Sequence, residues 1–206
     1  MTDHSALVTL LAERSTKRGQ FTLASGKIST IYIDARLTTM SPEGLSIIGP
    51  LGLRTLRETG WSISAVGGLT LGADPIAYAI SYASSLSSSP LKAFTVRKQA
   101  KTHGTGKLVE GPFNSGDHVA IIEDVITTGG SALRAIDAVR NAHGIVAGVL
   151  ALVDREEGGR EAIEQTGVPV VSLVRVAQII EKLNARHETF HPNESSGSSP
   201  DRQQKD

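Results

Sequence analysis

The sequence contains no cysteine among its 206 residues. This absence excludes disulfide bonds, thiolate zinc sites, iron–sulfur clusters and a cysteine nucleophile. Aromatic residues are scarce, with four Phe, three Tyr and one Trp, so stacking platforms for single-stranded nucleic acid are not expected. The longest apolar run, from Ile145 to Val153, is too short to span a bilayer, and the amino-terminal segment lacks a signal-peptide pattern. We therefore expect a cytoplasmic protein that does not associate with membranes.

An excess of charge of either sign is also missing, because 21 Lys and Arg balance 21 Asp and Glu. This balance argues against a nucleic-acid binder, whose phosphate contacts need basic residues. The five histidines outside residues 97–107 show no H-E-x-x-H or other metal-binding spacing. With 39% hydrophobic and 20% charged residues, the composition is that of an ordinary globular protein.

The pattern of apolar residues predicts an α/β fold with a mostly parallel sheet. Short runs rich in Val and Ile suit parallel strands buried on both faces, and they alternate with stretches of helical periodicity. The predicted strands are 63–66, 91–96, 119–122, 145–153 and 168–174, and the helices between and after them are 74–86, 130–142, 159–166 and 176–186. Upstream we expect a helix at 2–15, an extended region at 20–36, and a helix from Ser41-Pro42 to Gly60 that Gly49-Pro50 interrupts.

Two segments depart from this alternation. Residues 97–117 contain four Lys or Arg and five Gly or Pro, which predicts a long loop of the kind that is usually functional or disordered. Residues 187–206 are polar and low in complexity, which predicts a disordered tail after a single domain at 1–186.

The stretch from Val119 to Ser131 is the most informative part of the chain. An apolar strand runs into an acid pair, then into a loop of hydroxyls and glycines, and then into a helix. In open α/β sheets, ligands bind at the carboxyl ends of the strands, and a helix amino terminus attracts phosphate. The loop residues that suit phosphate binding are Thr127, Thr128, Gly129, Gly130 and Ser131.

The acid pair, Glu123 and Asp124, would repel a phosphate but could accept hydrogen bonds from vicinal ribose hydroxyls. A phosphate-binding loop beside two such acceptors predicts a ribose 5-phosphate site. The alternative is an acid pair that only ends a strand and caps a turn.

The segment Glu123–Ser131 resembles the phosphoribosyl pyrophosphate (PRPP) signature of type I phosphoribosyltransferases. Three further stretches are similar to those of the orotate phosphoribosyltransferases, and the match covers about residues 5–180 in the same order. These stretches are Phe21–Lys27 with Tyr32–Asp34, Arg97–Gly104, and Asp154–Gly159. The resemblance implies the type I fold, with a small hood formed mainly by residues 1–40 and a long flexible catalytic loop.

The resemblance also implies an activity. A pentosyltransferase of this family moves ribose 5-phosphate from PRPP to N1 of orotate, giving orotidine 5′-monophosphate and pyrophosphate in UMP biosynthesis. It implies Mg²⁺ held mainly by PRPP and water, and a homodimer in which the loop 97–107 contributes to the neighbouring subunit's site.

Site residues follow by resemblance. Lys101 is the foremost catalytic candidate, and His103, Arg97 and Asp124 are the others. Orotate contacts are assigned to Thr127 and Arg155. The residues assigned to PRPP are Arg97, Lys98, Lys101, His103, Glu123, Asp124, Val125, Ile126, Thr127, Thr128, Gly129, Gly130 and Ser131.

These assignments agree with elementary chemistry. The basic cluster at 97–103 contains no acid, and a departing pyrophosphate needs such charge neutralisation. The planar fork of Arg155 matches a carboxylate in bidentate fashion. The alternatives are a solvated charged loop, and an Arg155 paired at the surface with Glu156 or Glu157.

The chain departs from some relatives at two places. It has Ala24 where some members carry Lys, and the segment Gly67–Gly72 lacks the Tyr-Lys of others, so contacts from those lysines are not carried over. Lys27 is the candidate substitute. Gly67-Gly68 predicts either a tight loop that admits pyrophosphate to backbone amides or a purely structural turn.

Two rival functions stay open. One is a type I phosphoribosyltransferase that acts on another base, and the other is a non-catalytic PRPP-sensing regulator that binds nucleic acid. The zero net charge and the intact Arg97–Gly104 loop favour an enzyme.

Overall fold

A computed structural model describes residues 3–22, 28–99 and 107–190, with side chains as far as residue 185. Its centre is a six-stranded sheet of order β5-β4-β3-β6-β7-β8, and β1 and β2 form a separate antiparallel hairpin. Only the β4–β5 pair is antiparallel within the large sheet. The strands are β1 (Thr16–Thr22), β2 (Ile28–Ile33), β3 (Ala65–Leu69), β4 (Lys92–Val96), β5 (Val109–Glu110), β6 (His118–Ile126), β7 (Ile145–Asp154) and β8 (Val170–Arg175). The predicted α/β fold with a mostly parallel sheet is confirmed.

Seven α-helices lie in the described ranges, and the first continues into a π-helical turn at Leu11–Ser15. They are α1 (Asp3–Leu10), α2 (Arg36–Thr39), α3 (Pro42–Glu58), α4 (Ala73–Ser85), α5 (Gly130–Asn141), α6 (Gly159–Glu164) and α7 (Val176–Phe190). None of the described helices is long and apolar enough to cross a membrane.

Apolar side chains cover both faces of the sheet, which explains the continuous apolar runs of the parallel strands. Ile122 and Leu150 face one layer, formed with α1, α3 and α4, whereas Ile121 and Val149 face the other, formed with α5 and α6. The apolar stripe predicted for α5 is confirmed as buried: Ala132, Ala135, Ile136 and Val139.

The only tryptophan, Trp61, packs against the middle of the sheet near the amino end of β7. Its indole ring covers Gly148 so closely that a Cβ atom there would collide with the ring. Glycine at 148 is therefore required by tertiary packing.

Lys92 and Asp117 form an ion pair at the amino ends of β4 and β6. Lys92 Nζ donates to both carboxylate oxygens of Asp117, at 2.7 and 2.6 Å. The Ser64 hydroxyl and the Asn114 N–H donate to the same carboxylate. Burial alone would raise the pKa of Asp117, but the hydrogen bonds from Lys92, Asn114 and Ser64 together lower it.

Helix α3 corrects one prediction, because it runs unbroken through Pro50. Proline removes one backbone hydrogen bond, its ring crowds the carbonyl of the residue four positions earlier, and its Cδ crowds the Cβ of the preceding residue. That residue is Gly49, which has no Cβ, and it also lets α3 approach the backbone of Ala79 on α4. The predicted interruption is therefore wrong.

Two strand assignments also change. Gly67 and Gly68 lie inside β3, not in a loop or turn, and a Cβ on either would collide with the carbonyl oxygen of Phe94 or Ile122 on the flanking strands. Strand β6 continues to Ile126, so the acid pair lies within the strand rather than after it.

Among the described residues, the two segments that depart from the strand–helix alternation are shorter than predicted. Strand β5 pairs with β4 inside the predicted 97–117 loop, and 100–106 lie outside the described residues. Helix α7 continues to Phe190, so residues 187–190 are helical and not part of a disordered tail. The rest of that predicted tail, 191–206, is outside the described residues; the division into one domain and a tail stays a prediction.

Candidate active site

The strand order creates a crevice between the carboxyl ends of β3 and β6. From β3 the chain builds outward through β4 and β5 on one side, then returns to β6 and builds outward through β7 and β8 on the other. Ligands of open α/β sheets bind at such a switch in strand order. We call this position the crevice.

The loop Thr127–Gly129 and the start of α5 lie at one wall of the crevice. Gly129 has a φ of 80°, and a Cβ there would lie 2.7 Å from the carbonyl oxygen of Gly159, so conformation and space both favour glycine. The first backbone hydrogen bond at the start of α5 is donated by the Leu133 N–H to the carbonyl oxygen of Gly129. The N–H groups before Leu133 have no acceptor within the helix. Free N–H groups at a helix amino terminus are able to bind an anion.

Glu123 is buried in β6, with 7% of its surface exposed. Its Oε2 has no hydrogen-bond partner among the described residues. Burial, together with the neighbouring charge of Asp124, raises the pKa of Glu123 well above its usual value. A buried acceptor that has no donor within the protein suits a carboxylate that binds the hydroxyls of a ligand.

Asp124 is half-buried and faces the loop that follows β3. The Val125 N–H donates to its Oδ1 at 2.9 Å. A Cβ at Gly72 would lie only 2.5 to 2.6 Å from the three carboxylate heavy atoms of Asp124. Gly72 therefore provides the space in which this carboxylate lies.

Arg36 is a charged residue of this region that the sequence motifs did not single out. Its guanidinium donates to Asp34 through Nε at 2.8 Å and Nη2 at 2.9 Å. The pKa of Arg36 is raised chiefly by this pairing, and the charges of Tyr32 and Asp124 add to the shift. The Asp-x-Arg spacing directly after β2 is the signal by which it could have been found.

Arg155 follows β7 and is buried, with 5% of its side chain exposed. It donates to Glu157 Oε1 through Nε at 2.9 Å and, through Nη2, lies 2.8 Å from the same oxygen. Its Nη2 also donates to the Ser29 hydroxyl on β2 at 3.0 Å. The alternative in which Arg155 pairs with Glu157 is thus correct about the partner. It is wrong about the surface location, because the Arg155 side chain is buried.

Arg97 and Lys98 follow β4 and line a cavity of about 680 Å³ together with Thr70, Thr95, Gln99 and Glu110. The Arg97 guanidinium lies 3.8 Å from Glu110 Oε1. This cavity joins the end of β4 to the loop after β3. Lys101 and His103, the other two members of the basic cluster, lie outside the described residues.

The remaining candidates take different positions. Ile126 is buried in the core, so only its backbone is available to a ligand, whereas Val125 is partly buried. Thr128 and Gly130 are exposed, and Thr127 and Ser131 are half-buried at the loop and the first turn of α5. Ala24 and Lys27 are outside the described ranges. No group of three or more potential metal-binding side chains occurs in the described part of the chain.

The chain is similar in sequence to known orotate phosphoribosyltransferases. The chain is 46% identical to the orotate phosphoribosyltransferase of Aquifex aeolicus over 183 residues, covering 87% of this chain and 99% of that protein. It is 44% identical to the orotate phosphoribosyltransferase of Rhodopirellula baltica, covering 84% of this chain and 92% of that protein. No protein-family model matches the chain.

Solved structures agree with the sequence relatives. The Mycobacterium tuberculosis orotate phosphoribosyltransferase in complex with PRPP has a TM-score of 0.72 at 39% identity, and the match covers 86% of this chain and 99% of that one. The UMP synthase of Leishmania donovani has a TM-score of 0.77 at 29% identity, covering 88% of this chain and 38% of that one. With such identity along nearly the whole length of its sequence relatives, the chain belongs to the orotate phosphoribosyltransferase family.

Proposed function

We propose that the crevice between β3 and β6 carries out the family reaction, in which ribose 5-phosphate is transferred from PRPP to N1 of orotate. The products are orotidine 5′-monophosphate and pyrophosphate, in the synthesis of UMP. The observation that carries this proposal is the position of Glu123 and Asp124, which lie directly before a helix amino terminus at the switch in strand order.

Each wall of the crevice has one task in this reaction. The N–H groups and hydroxyls at 127–131 bind the 5′-phosphate, while Glu123 and Asp124 accept hydrogen bonds from the ribose hydroxyls. Orotate N1 attacks C1′ as pyrophosphate leaves, through an oxocarbenium-like transition state. Because orotate is already an anion, orientation and electrostatic stabilisation matter more than a strong general base.

Arg155 is oriented before orotate binds. Glu157 and Ser29 accept hydrogen bonds from its Nε and Nη2, and none of the described residues accepts one from its Nη1. A guanidinium has five N–H donors, so the Nη1 donors are available to an orotate oxygen. The second orotate contact is assigned to Thr127, the first residue of the loop after β6.

Pyrophosphate leaves toward the basic residues at the end of β4. Arg97 and Lys98 line the cavity beside Thr70, and we assign the main catalytic contribution to Lys101, with His103 beside it. Positive charge at this position stabilises the negative charge that develops on the departing diphosphate.

Mg²⁺ fits this site as a metal that arrives with its substrate. Mg²⁺ prefers oxygen ligands and keeps several waters, and PRPP supplies phosphate and hydroxyl oxygens. The carboxylates of Glu123 and Asp124 are the protein groups of the crevice that would add oxygen ligands to such an ion. The ion would supply charge neutralisation for the diphosphate. Together with the reaction, we propose a cytoplasmic location for the protein.

We also propose a homodimer formed through the groove between α3 and α4. This groove encloses about 1510 Å³. Tyr82 and Leu86 on its wall are 73% and 83% exposed, and Met40, Leu71 and Tyr78 are about half exposed. Apolar surface of this kind marks an interaction site. Arg54, Arg57 and Glu58 at the same groove offer both charge signs to a self-complementary partner. Because Leu71 adjoins Gly72 and Asp124, a second copy there would lie beside the crevice.

Mixing inactive subunits tests whether the loop 97–107 acts on the partner's site. Lys101→Ala and Asp124→Asn homodimers should each retain only a small residual activity. After exchange of subunits, half of the dimers are mixed, and each mixed dimer has one intact site, so activity returns to about one quarter of wild type. A mixture that stays inactive after proven exchange contradicts a shared site.

The activity itself is tested by following the loss of orotate absorbance with PRPP and Mg²⁺. Adenine, hypoxanthine and uracil serve as competing bases. Turnover of orotate alone is the expected result. Turnover of another base instead would assign the chain to a different phosphoribosyltransferase, and no turnover with any base would favour the regulator.

A further inference from the structure

Asp74, in the first turn of α4, is a buried carboxylate with hydroxyl partners. It is 8% exposed. Its Oδ2 accepts a hydrogen bond from Thr70 Oγ1 at 2.6 Å, and its Oδ1 accepts one from Thr95 Oγ1 at 2.8 Å. Thr70 follows β3 and Thr95 lies near the end of β4, so one side chain holds two strand ends together.

The direction of each hydrogen bond in this cluster is determined. Each threonine hydroxyl has a single proton, and both threonines donate it to Asp74. The Tyr78 hydroxyl lies 2.9 Å from Thr95 Oγ1. Since the Thr95 proton is already engaged, Tyr78 must be the donor. Tyr78, at the groove between α3 and α4, therefore donates to Thr95, and Thr95 donates to Asp74.

Both threonines are also walls of the cavity that holds Arg97 and Lys98. The backbone is tied in the same place, because Thr70 N–H donates to Val96 O at 2.8 Å. Two residues after Thr95 the chain reaches Arg97, and two residues after Thr70 it reaches Gly72, which lies against Asp124. Asp74 thus lies outside the lining of the cavity and contacts both the loop after β3 and the end of β4.

We propose that Asp74 is a positioning residue for diphosphate binding, which acts by orienting Thr70 and Thr95 and so fixing the distance between the β3 and β4 loops. This proposal rests on the proposed function, in which the cavity receives the pyrophosphate group. Asp74 does not line this cavity, and its carboxylate contacts the two threonines that do.

A carboxylate near a diphosphate invites an opposite expectation. If Asp74 acted only through its negative charge, its removal would strengthen binding of the anion. If it acts by orientation, its removal weakens binding, because a hydroxyl that loses its acceptor turns away and the loops separate. The sign of the effect therefore distinguishes the two.

Calorimetric binding of magnesium pyrophosphate to the full chain provides the test, alongside the KM values for PRPP and orotate. Asp74→Asn keeps the size but presents an NH₂ group to one of the two hydroxyls. We expect the pyrophosphate Kd and the PRPP KM to rise about tenfold, with the orotate KM changed less than about twofold. The matched control is Asp137→Asn, an exposed carboxylate on α5, which should bind pyrophosphate like wild type.

A second pair of variants covers the case in which Asp74→Asn folds poorly. Thr95→Val should reproduce the weakened binding of pyrophosphate, and Thr95→Ser, which restores the hydroxyl, should recover it. The effects of Asp74→Asn and Thr95→Val should be less than additive, since both break one contact. Unchanged or tighter pyrophosphate binding in Asp74→Asn or in Thr95→Val overturns the proposal. Loss of orotate turnover in the wild type is a separate result, which counts against the proposed function and leaves the pyrophosphate comparison valid.

Discussion

Gly72 and Asp124 are in direct contact across the crevice, although 52 positions separate them in the chain. A methyl group at position 72 would lie 2.5 to 2.6 Å from the Asp124 carboxylate. Gly72 has a φ of −59°, which alanine adopts readily. Gly72→Ala should therefore act through Asp124 alone and lower kcat/KM about 100-fold, the usual cost of a displaced site group. Steady-state kinetics measures the loss.

A double-mutant cycle provides the control for this variant. In an Asp124→Ala background the methyl group has room, so adding Gly72→Ala should change kcat/KM by less than about twofold. An equally large loss in that background would show that Gly72 acts on something other than Asp124.

Glu123 should make the free protein less stable as the pH rises. Its pKa lies above the usual 4.5 because the side chain is buried beside Asp124. The folded state holds the proton more tightly than the unfolded chain, so stability is complete below 4.5 and is lost as pH rises through the folded-state pKa. Glu123→Gln should be inactive yet more stable than wild type near neutral pH, by about 1 kcal/mol or more. Urea unfolding across this range measures the gap, and a gap independent of pH contradicts the mechanism.

Binding of the ribose should release a proton from Glu123. Ribose hydroxyls donate to the charged carboxylate and stabilise it, so the pKa of Glu123 falls when the ligand binds. Calorimetry with ribose 5-phosphate in buffers of different ionisation enthalpy counts the protons released. Glu123→Gln should abolish the release while leaving the phosphate contact. An identical proton count in the variant would assign the release to another group.

Arg155→Leu should raise the orotate KM about 100-fold and the PRPP KM less than about threefold. The reason is that the guanidinium, held by Glu157 and Ser29, is proposed to contact orotate and not the phosphates. Arg140→Leu, an exposed arginine at the far end of α5, is the matched control. Equal increases in both KM values would argue against a contact with orotate.

Lys92→Met should reduce stability without affecting catalysis. The variant leaves Asp117 without its cation, and for a partly buried pair we expect a loss of about 1–3 kcal/mol in the free energy of unfolding. Asp117 has a pKa lowered below 3.8, so the stabilisation is present above that value and disappears as pH falls through the folded-state pKa. Both residues lie at the amino ends of their strands, opposite the crevice, so the KM values should not change.

Much of the scaffold could be predicted because its signals are local. The buried stripe of α5 repeats at helical spacing, and the parallel strands appear as continuous Val and Ile runs. The crevice could be predicted as well, since the acid pair and the loop before α5 are contiguous in sequence.

What could not be predicted depends on partners that are distant in the chain. Gly67 and Gly68 carry no hydrophobic signal, and only the neighbouring strands show why β3 needs them. The contact between Ser29 and Arg155 joins residues 126 positions apart. Asp74 has no motif around it, and its role becomes visible only when Thr70 and Thr95 are brought to the same carboxylate.

Trp61 gives the protein an intrinsic fluorescent reporter whose signal has a single source. The indole lies over Gly148, in the part of β7 away from the carboxyl ends of the strands, where the substrates are proposed to bind. Its emission should follow the loss of packing on unfolding and should be almost unaffected by PRPP or orotate at the crevice. Ligand-induced stabilisation can therefore be measured from one optical signal, without a labelled variant.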